Sequence, residues 1–460
     1  MQLFKTISGS ICAPRGFKAA AVFCDIKKLG TGKGSEKGQK RDLALIVSDV
    51  PAAVAGMFTT NQVCAAPVKL SAQRSAKKFA QAIVVNSGNA NACTGRQGLR
   101  DAEMMARKTA EAVAALYERR KSSNPPTVID RRYKISESDV LVCSTGRIGV
   151  PMPMKNIERG IRECAPLLAR SITNARQVAD AIMTTDTRRK EIAVEFKIDN
   201  RTVRIGGICK GAGMIEPGMA VATGLRPVGI KHATMLAFIT SDAAIESNAF
   251  KRALEAAVAQ SFNRISVDGD MSTNDSVIML ANGLAGNPRI KNRNSRLETF
   301  QRALAFVTLE LAKMIVRDGE GAMRFITLHV HGARNAREAE AAARAIANST
   351  LVKTSWCGGD PNWGRILCAL GYSTAKVEES IVDVGYSRAG EREIAFAFRR
   401  GRPTNVALNT LAKITSAPEF DLHVDLHAGA QDFVMYASDL TEDYVALNKG
   451  DVSDPTSLGG

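Results

Sequence analysis

The chain has 460 residues, of which 45% are hydrophobic and 23% charged, which is ordinary for a globular protein and predicts two or more domains. Its formal net charge is +16, but only 5% of residues are aromatic and no zinc-finger spacing or RNA-binding signature accompanies the charge, so we expect no nucleic-acid partner. No apolar run of about 18 residues is present, so no membrane association is expected. The nine scattered cysteines form no C-x-x-C pair, which predicts a reduced, cytoplasmic protein.

Hydrophobic periodicity predicts a mixed α and β architecture. Short β-branched apolar runs predict buried strands, and apolar residues at helical spacing predict amphipathic helices. The predicted elements are, in order, strands at 43–48 and 82–86, a helix at 101–117, a surface loop at 118–134, a basic loop at 286–297, and helices at 298–316 and 335–348, with strand-like segments after 350.

An Ala233-Thr234 bond lies directly before the apolar run TMLAFITSDA (234–243). Cleavage of this bond would free the α-amino group of Thr234, whose pKa of ~7.7–8.0 lies far below the ~10.4 of a lysine side chain. Such an amine can act as a general base for the adjacent hydroxyl, which is otherwise a weak nucleophile. Thr234 would then supply both nucleophile and base. Without cleavage the same run is simply a buried strand.

Twelve sequence blocks make this bond more than an arbitrary Ala-Thr pair. They are APRGFKAA (13–20), DLALIVSD (42–49), AGMFTTNQV (55–63), VVNSGNANACTG (84–95), CSTGRIG (143–149), AIMTTDT (181–187), KGAGMIEP (210–217), TMLAFITSDAA (234–244), SFNRISVDGDMSTND (261–275), VRDGEGAMRF (316–325), GGDPNWGRIL (358–367) and LTEDYVALN (440–448). In these blocks and their order, the chain resembles the ArgJ-type glutamate N-acetyltransferases of arginine biosynthesis, also called ornithine acetyltransferases.

The resemblance implies a precursor that cuts itself before Thr234, giving an α chain (1–233) and a β chain that remain together as an α2β2 heterotetramer. It implies ping-pong transfer of an acetyl group from N2-acetyl-L-ornithine to L-glutamate through an acetyl-Thr234 ester. The implied fold is α+β: a layered αβ sandwich of the DmpA and ArgJ type, similar to N-terminal-nucleophile hydrolases. The segment 234–340 would complete the catalytic domain, and 341–460 would form a smaller C-terminal α/β domain. No cofactor and no metal are expected, and the sequence leaves open whether acetyl-CoA is a second acetyl donor.

The resemblance also assigns site residues. Thr145 and Gly146 would form the oxyanion hole, because glycine allows close backbone approach and fixed donors stabilise the charge that develops in acyl transfer. The cleavage site would be Ala233 and Thr234. The implied substrate-binding residues are Thr184 (with Thr185 as the alternative), Lys210, Thr234, Glu320, Asn448 and Ser453.

Two departures from the family pattern lie beside these residues. Arg147 stands where the family has a small apolar residue. Thirteen residues (221–233) separate Ala220 from Thr234, whereas the family joins these positions directly. A longer loop costs little free energy, so folding should survive, while placement of the scissile bond is at risk. Thr234 remains the expected nucleophile because the apolar run follows it; Thr223 is the weaker candidate.

Other readings compete with the acetyltransferase. One is an uncleaved, inactive relative that acts as a binding protein, and another is an aminopeptidase or amidase of the same fold, which Thr234 and the matches at Lys210 and Glu320 disfavour. His423 and His427 have a spacing that suits a metal on a helix, but their alternation with apolar residues predicts a strand. The segment 86–95 lacks the lysine of a phosphate loop and is predicted to be a structural turn.

Overall fold

The computed structural model describes residues 4–27, 40–123, 135–221, 235–292 and 295–449. The strands are β1 Lys5–Thr6, β2 Phe17–Val22, β3 Leu43–Thr59, β4 Phe79–Asn89, β5 Val140–Arg147, β6 Lys190–Ile198, β7 Arg201–Lys210, β8 Met219–Val221, β9 Leu236–Ser241, β10 Ile265–Ser266, β11 Ser276–Ala281, β12 Phe325–Ala333, β13 Asp383–Arg388, β14 Ala395–Arg399, β15 Arg402–Pro403, β16 Glu419–Asp425 and β17 Gln431–Ser438. The α-helices are α1 Ala66–Ser75, α2 Gly95–Ser123, α3 Met154–Cys164, α4 Ile172–Ile182, α5 Ser247–Ala259, α6 Ser295–Arg317, α7 Ala336–Ala347, α8 Thr350–Cys357, α9 Trp363–Gly371, α10 Leu408–Thr415 and α11 Glu442–Asn448. None of the helices in these ranges combines the length and the apolar character that a bilayer span requires.

A long strand, β3, organises the larger of two sheets. Its first half pairs with β2 and β4, and its second half pairs with β11 and β8. The pairing with β4 shifts register between Val47 and Ala52, around Pro51, which has no N–H to donate to a ladder. The full strand order is β1-β6-β7-β9-β11-β3-β4-β5, with β2 and β8 added beside β3.

Alternating side chains show that this sheet is folded into two layers. Ile46 of β3 and Phe238 of β9 belong to one apolar cluster, which collects the inner faces of both halves. The neighbouring residue Leu45 points outward to α2 and α3, and Ile239 points outward to α5 and α6. Helices therefore cover both outer faces of a double-layered sheet, which confirms the predicted layered α+β sandwich.

The second sheet has the order β10-β17-β12-β16-β13-β14-β15. Helices α7, α8 and α9 pack on one of its faces through a buried cluster that contains Ile346, Trp356 and Leu370. The sheet includes β10 and β12, which precede the domain boundary predicted at 340–341; the division into domains stays a prediction.

The predicted strands lie within β3 and β4, and the helices predicted at 101–117 and 298–316 lie within α2 and α6. The helix predicted at 335–348 is α7 with one flanking residue at each end. The surface loop at 118–134 was wrong in its first part, because α2 continues to Ser123; residues 124–134 lie outside the described ranges. The basic loop at 286–297 ends early, since α6 begins at Ser295. In both places the charged residues belong to a helix, so a high proportion of polar residues does not by itself indicate a loop.

Candidate active site

The predicted oxyanion residues lie where the parallel strands β4 and β5 end together. Thr145 is buried, and Gly146 is the register partner of Gly88. Gly146 has φ of 126°, and a Cβ atom built on it would lie 2.4 Å from the carbonyl carbon of Gly88. The backbone conformation and the close approach both require glycine at this position.

Three of the predicted site residues meet at the end of β7. The buried ammonium group of Lys210 donates to the Thr184 hydroxyl at 2.9 Å and to the Thr145 hydroxyl at 3.4 Å. Burial lowers the pKa of Lys210, and the nearby carboxylate of Asp186 opposes that shift. Within the described ranges the third ammonium proton has no acceptor, so it is free for an anionic ligand. Thr184, not the exposed Thr185, is the residue that contacts Lys210.

A buried ionic network holds the residues on either side of Lys210. Asp186 accepts from the backbone N–H groups of Gly211 at 2.7 Å and Thr184 at 3.0 Å. Lys190 lies between Asp186, at 2.6 Å, and Asp318, at 2.5 Å. Burial alone would raise the pKa of Asp186, but the ammonium groups of Lys210 and Lys190 lower it to about 2. The sequence analysis gave these three network residues no role, although Asp186 and Asp318 lie inside recognised blocks.

Glu320 and Asn448, predicted to return to the site from distant segments, are in contact. The Asn448 amide donates to a carboxylate oxygen of Glu320 at 2.7 Å. The Glu320 backbone N–H donates to the carbonyl of Ala212 at 2.9 Å, two residues beyond Lys210. A Cβ atom on Gly213 would lie 2.4 Å from the carboxyl carbon of Glu320, so this glycine makes room for the carboxylate.

Asp275 is a site residue that the sequence analysis missed. One of its carboxyl oxygens accepts the backbone N–H of Met235, the residue after Thr234, at 2.5 Å. Its other oxygen is buried and has no hydrogen-bond partner among the described residues. Burial raises the pKa of Asp275 well above its ordinary value. An unpaired buried carboxyl oxygen is costly, so its presence on the residue that accepts from the Met235 N–H indicates a functional constraint.

Asn274, the residue before Asp275, is hydrogen-bonded to β5, the strand that carries the predicted oxyanion residues, and to the turn after β4. The Asn274 amide donates to the carbonyl oxygens of Ala90 at 2.7 Å and Ser144 at 2.8 Å. The turn predicted at 86–95 was wrong in its first part, because residues 86–89 belong to β4; Asn91 and Cys93 adopt positive φ in the turn that follows the strand. The backbone carbonyl of Arg147 accepts a hydrogen bond from the backbone N–H of Ala90 at 2.9 Å. Arg147, which departs from the family pattern, is thus still part of β5.

Ala233, Thr234, Thr223 and Ser453 lie outside the described residues, so their predicted roles remain predictions. The described residues provide a buried cation with two hydroxyl partners, a carboxylate-amide pair and a glycine-bearing strand end. Lys210 is also the register partner of Leu236 in β9, the strand that begins two residues after Thr234. Such a set offers opposite charges at separate positions to a ligand that carries both a carboxylate and an amine.

Comparison with known proteins shows the family of the chain. The arginine biosynthesis bifunctional protein ArgJ of Symbiobacterium thermophilum is 44% identical over 442 residues, which cover 96% of this chain and 98% of that protein. The glutamate N-acetyltransferase of Methanocaldococcus jannaschii is 42% identical over 450 residues, again covering 96% and 98%. A solved structure of the ornithine acetyltransferase of Mycobacterium tuberculosis, complexed with ornithine, is 32% identical and covers 47% of this chain and 100% of that chain, with a TM-score of 0.39. The ArgJ family model matches residues 19–450, and the chain therefore belongs to the ArgJ family.

Proposed function

We propose that this chain is a self-processing acetyltransferase of arginine biosynthesis, which moves the acetyl group of N2-acetyl-L-ornithine to L-glutamate. The observation that carries the proposal is the contact of Lys210 with Thr145 and Thr184, which places a cation against the candidate oxyanion strand. Relatives that match 96% of the chain carry the names glutamate N-acetyltransferase and bifunctional ArgJ, which supports the same chemistry.

Maturation would begin with attack of the Thr234 hydroxyl on the Ala233 carbonyl. The C–N bond breaks, the nitrogen takes the proton, and an ester joins Ala233 to the Thr234 oxygen. Water then hydrolyses this ester, which releases the Ala233 carboxylate and leaves Thr234 with a free α-amine and a free hydroxyl. Since one residue now carries both groups, no histidine or cysteine is required.

Acetyl transfer would use the same hydroxyl twice. In the first half-reaction Thr234 attacks the acetyl carbonyl, its α-amine takes the hydroxyl proton and passes it to the departing ornithine amine, and an acetyl ester remains. In the second, the amine of glutamate attacks this ester and Thr234 is regenerated. Both steps develop an oxyanion, for which Thr145 and Gly146 would supply the donors; loss of one such donor typically costs ~10²–10³ in rate.

Lys210 and Glu320 suit the charges of the substrates. Both substrates carry carboxylates, which the third proton of Lys210 would bind, and Glu320 would meet the amino group. Asn448 holds the Glu320 carboxylate at 2.7 Å and so fixes its direction. We also propose that the enzyme is a cytoplasmic α2β2 assembly without a resident cofactor. The assay described next tests whether acetyl-CoA is a second acetyl donor.

The test is an assay of ornithine release from N2-acetyl-L-ornithine, with and without L-glutamate. The proposal predicts continuous ornithine release from the wild type with glutamate, at most one equivalent per active site without it, and no release from Thr234→Ala. A parallel reaction with acetyl-CoA and glutamate decides whether the enzyme has two acetyl donors. Hydrolysis of peptide amides without acetyl transfer would establish the aminopeptidase alternative, and absence of all these activities would leave an inactive relative.

A further inference from the structure

Three histidines gather on the face of the second sheet that is opposite its helices. His329 and His331 alternate with apolar residues along β12, and His423 is the parallel register partner of His329 on β16. Residues two apart on a strand share a face, and directly paired residues are neighbours across it. One ring nitrogen from each histidine lies within 4.8 Å of the others.

The surroundings of the cluster resemble the support that metal ligands receive. The Ser387 hydroxyl lies 2.9 Å from Nε2 of His423, while Nδ1 of that ring is buried and has no hydrogen-bond partner in the described part of the chain. Asp432 lies 3.3 Å from Nδ1 of His331, and Asp421 lies 3.8 Å from Nε2 of His329. A hydrogen-bond partner on one ring nitrogen orients the other nitrogen for coordination, and a carboxylate is a common choice.

We propose that His329, His331 and His423 bind a divalent transition-metal ion, with Zn²⁺ as the best match, at a site separate from the Thr234 region. Three neutral imidazoles with an open fourth position form a known zinc environment, and imidazole is a preferred ligand of zinc, copper and nickel. If Nε2 of His423 donates to Ser387, Nδ1, which has no partner among the described residues, carries the lone pair that would coordinate the ion.

Binding requires a modest rotation of the rings. The three ring planes lie within 8° of one another, and the His329 and His423 centroids are 4.8 Å apart. Zn–N distances of about 2.0–2.1 Å place tetrahedral ligand atoms about 3.4 Å apart, so the rings must tilt to let their lone pairs converge. All three side chains are only partly buried, which leaves space for this movement.

The proposal replaces the histidine pair considered from the sequence. His427 follows β16, and its Nε2 lies 3.0 Å from Asp383 instead of facing the cluster. His329 and His331 lie more than ninety positions before His423, and only the register of β12 with β16 brings them together. The sequence prediction that no metal binds was made without that register.

The test is calorimetric titration of chelator-treated protein with Zn²⁺. Wild type is expected to bind the ion at this cluster, and His329→Asn, His331→Asn and His423→Asn are each expected to weaken binding about 100-fold or more, since loss of a residue behind a ligand already costs 10–100-fold. His427→Asn is the matched control, because its ring lies outside the cluster, and it should keep wild-type affinity.

Thermal unfolding with and without Zn²⁺ provides a readout that is independent of catalysis. The ion should raise the Tm of wild type and of His427→Asn, and should leave the Tm of the three cluster variants unchanged. Unfolding without metal checks that each variant folds. Equal Zn²⁺ affinity in wild type and in the three cluster variants would place the ion elsewhere, for example on the free cysteines, and would overturn the proposal.

Discussion

Lys210 is the residue that joins the candidate oxyanion strand to the substrate position. Replacing it in Lys210→Met should reduce kcat/KM for both substrates roughly 10–100-fold, because hydrogen bonds to charged groups contribute about 1.5–3 kcal/mol. Steady-state kinetics of each half-reaction measures this effect. Lys69→Met is the control, since Lys69 is an exposed lysine on α1, and it should match wild type. Equal kinetics in the two variants would remove Lys210 from the site.

A substitution at Gly146 tests the role of the end of β5, where the predicted oxyanion residues lie. Gly146→Ala places a methyl group against the Gly88 carbonyl, so Thr145 and the strand end must shift, and displacement near reacting atoms commonly costs ~10²-fold in rate. Self-cleavage and acetyl transfer should slow together, which a cleavage time course and the ornithine assay would record. Gly149→Ala is the control: Gly149 also has positive φ but has open space around it. If both variants slow equally, backbone strain and not the close approach is the cause.

Asp275 accepts from the peptide that follows Thr234, so it should position that residue. In Asp275→Asn the amide oxygen can still accept from Met235, but the other carboxyl oxygen is replaced by a buried N–H2 group that has no acceptor among the described residues. We expect the rate of self-cleavage, followed by mass spectrometry, to fall about 10–100-fold. The exposed Asp270, in the same sequence block, supplies the control Asp270→Asn. Wild-type cleavage in Asp275→Asn would mean that this contact is only structural.

At the scale of elements, the sequence predicted what depends on periodicity and missed what depends on register. The helices at 298–316 and 335–348 were predictable because each buries one apolar face. The Lys190–Asp318 contact joins residues 128 positions apart, and no local pattern reports it. The Lys210 site was predicted through family resemblance, whereas its contacts follow from the position of β7 between β6 and β9.

The positions of β8 and β9 in the sheet indicate that residues 221–233 are needed to connect these strands before the chain is cut. The order β9-β11-β3-β8 separates β8 from β9 by three strand spacings, about 14 Å. If Ala220 were joined directly to Thr234, Ala220 and Met235 would be two Cα steps apart, at most ~7.6 Å. An uncut chain without the insertion therefore cannot keep β8 beside β3.

This argument predicts the behaviour of a deletion. In an uncut Thr234→Ala protein that also lacks 221–233, the backbone amide of Ala220, the register partner of Phe58 on β3, should lose protection from hydrogen exchange. The same amide should stay protected in Thr234→Ala alone, which is the matched control. Hydrogen exchange with mass spectrometry makes the comparison. Equal protection in the two proteins would show that β8 can reach β3 without the insertion.

For the molecule as a whole, the Asp186–Lys190–Asp318 network links stability to pH. The folded-state pKa of Asp186 is about 2, below its ordinary 3.8. Its stabilising contribution is therefore fully present above about pH 4 and is lost as the pH falls toward 2. Asp186→Asn should lower the free energy of unfolding by about 3 kcal/mol at pH 7, because it breaks a buried pair, and by much less near pH 2.

Urea unfolding at both pH values measures the difference. The control is Asp180→Asn, which breaks a pair with Arg189 whose two side chains are about 40% exposed, and it should cost less than about 1 kcal/mol. A loss in Asp186→Asn that does not change with pH would show that packing, and not the charge of Asp186, is responsible.

The whole account depends on whether the chain is cut before Thr234. Denaturing mass spectrometry of the purified protein, with N-terminal sequencing of each species, answers this directly. The account predicts two chains, one ending at Ala233 and the other beginning Thr-Met-Leu-Ala-Phe, and a single full-length chain for Thr234→Ala. A wild-type protein that remains one intact chain would contradict it, because Thr234 would then have no free amine with which to act.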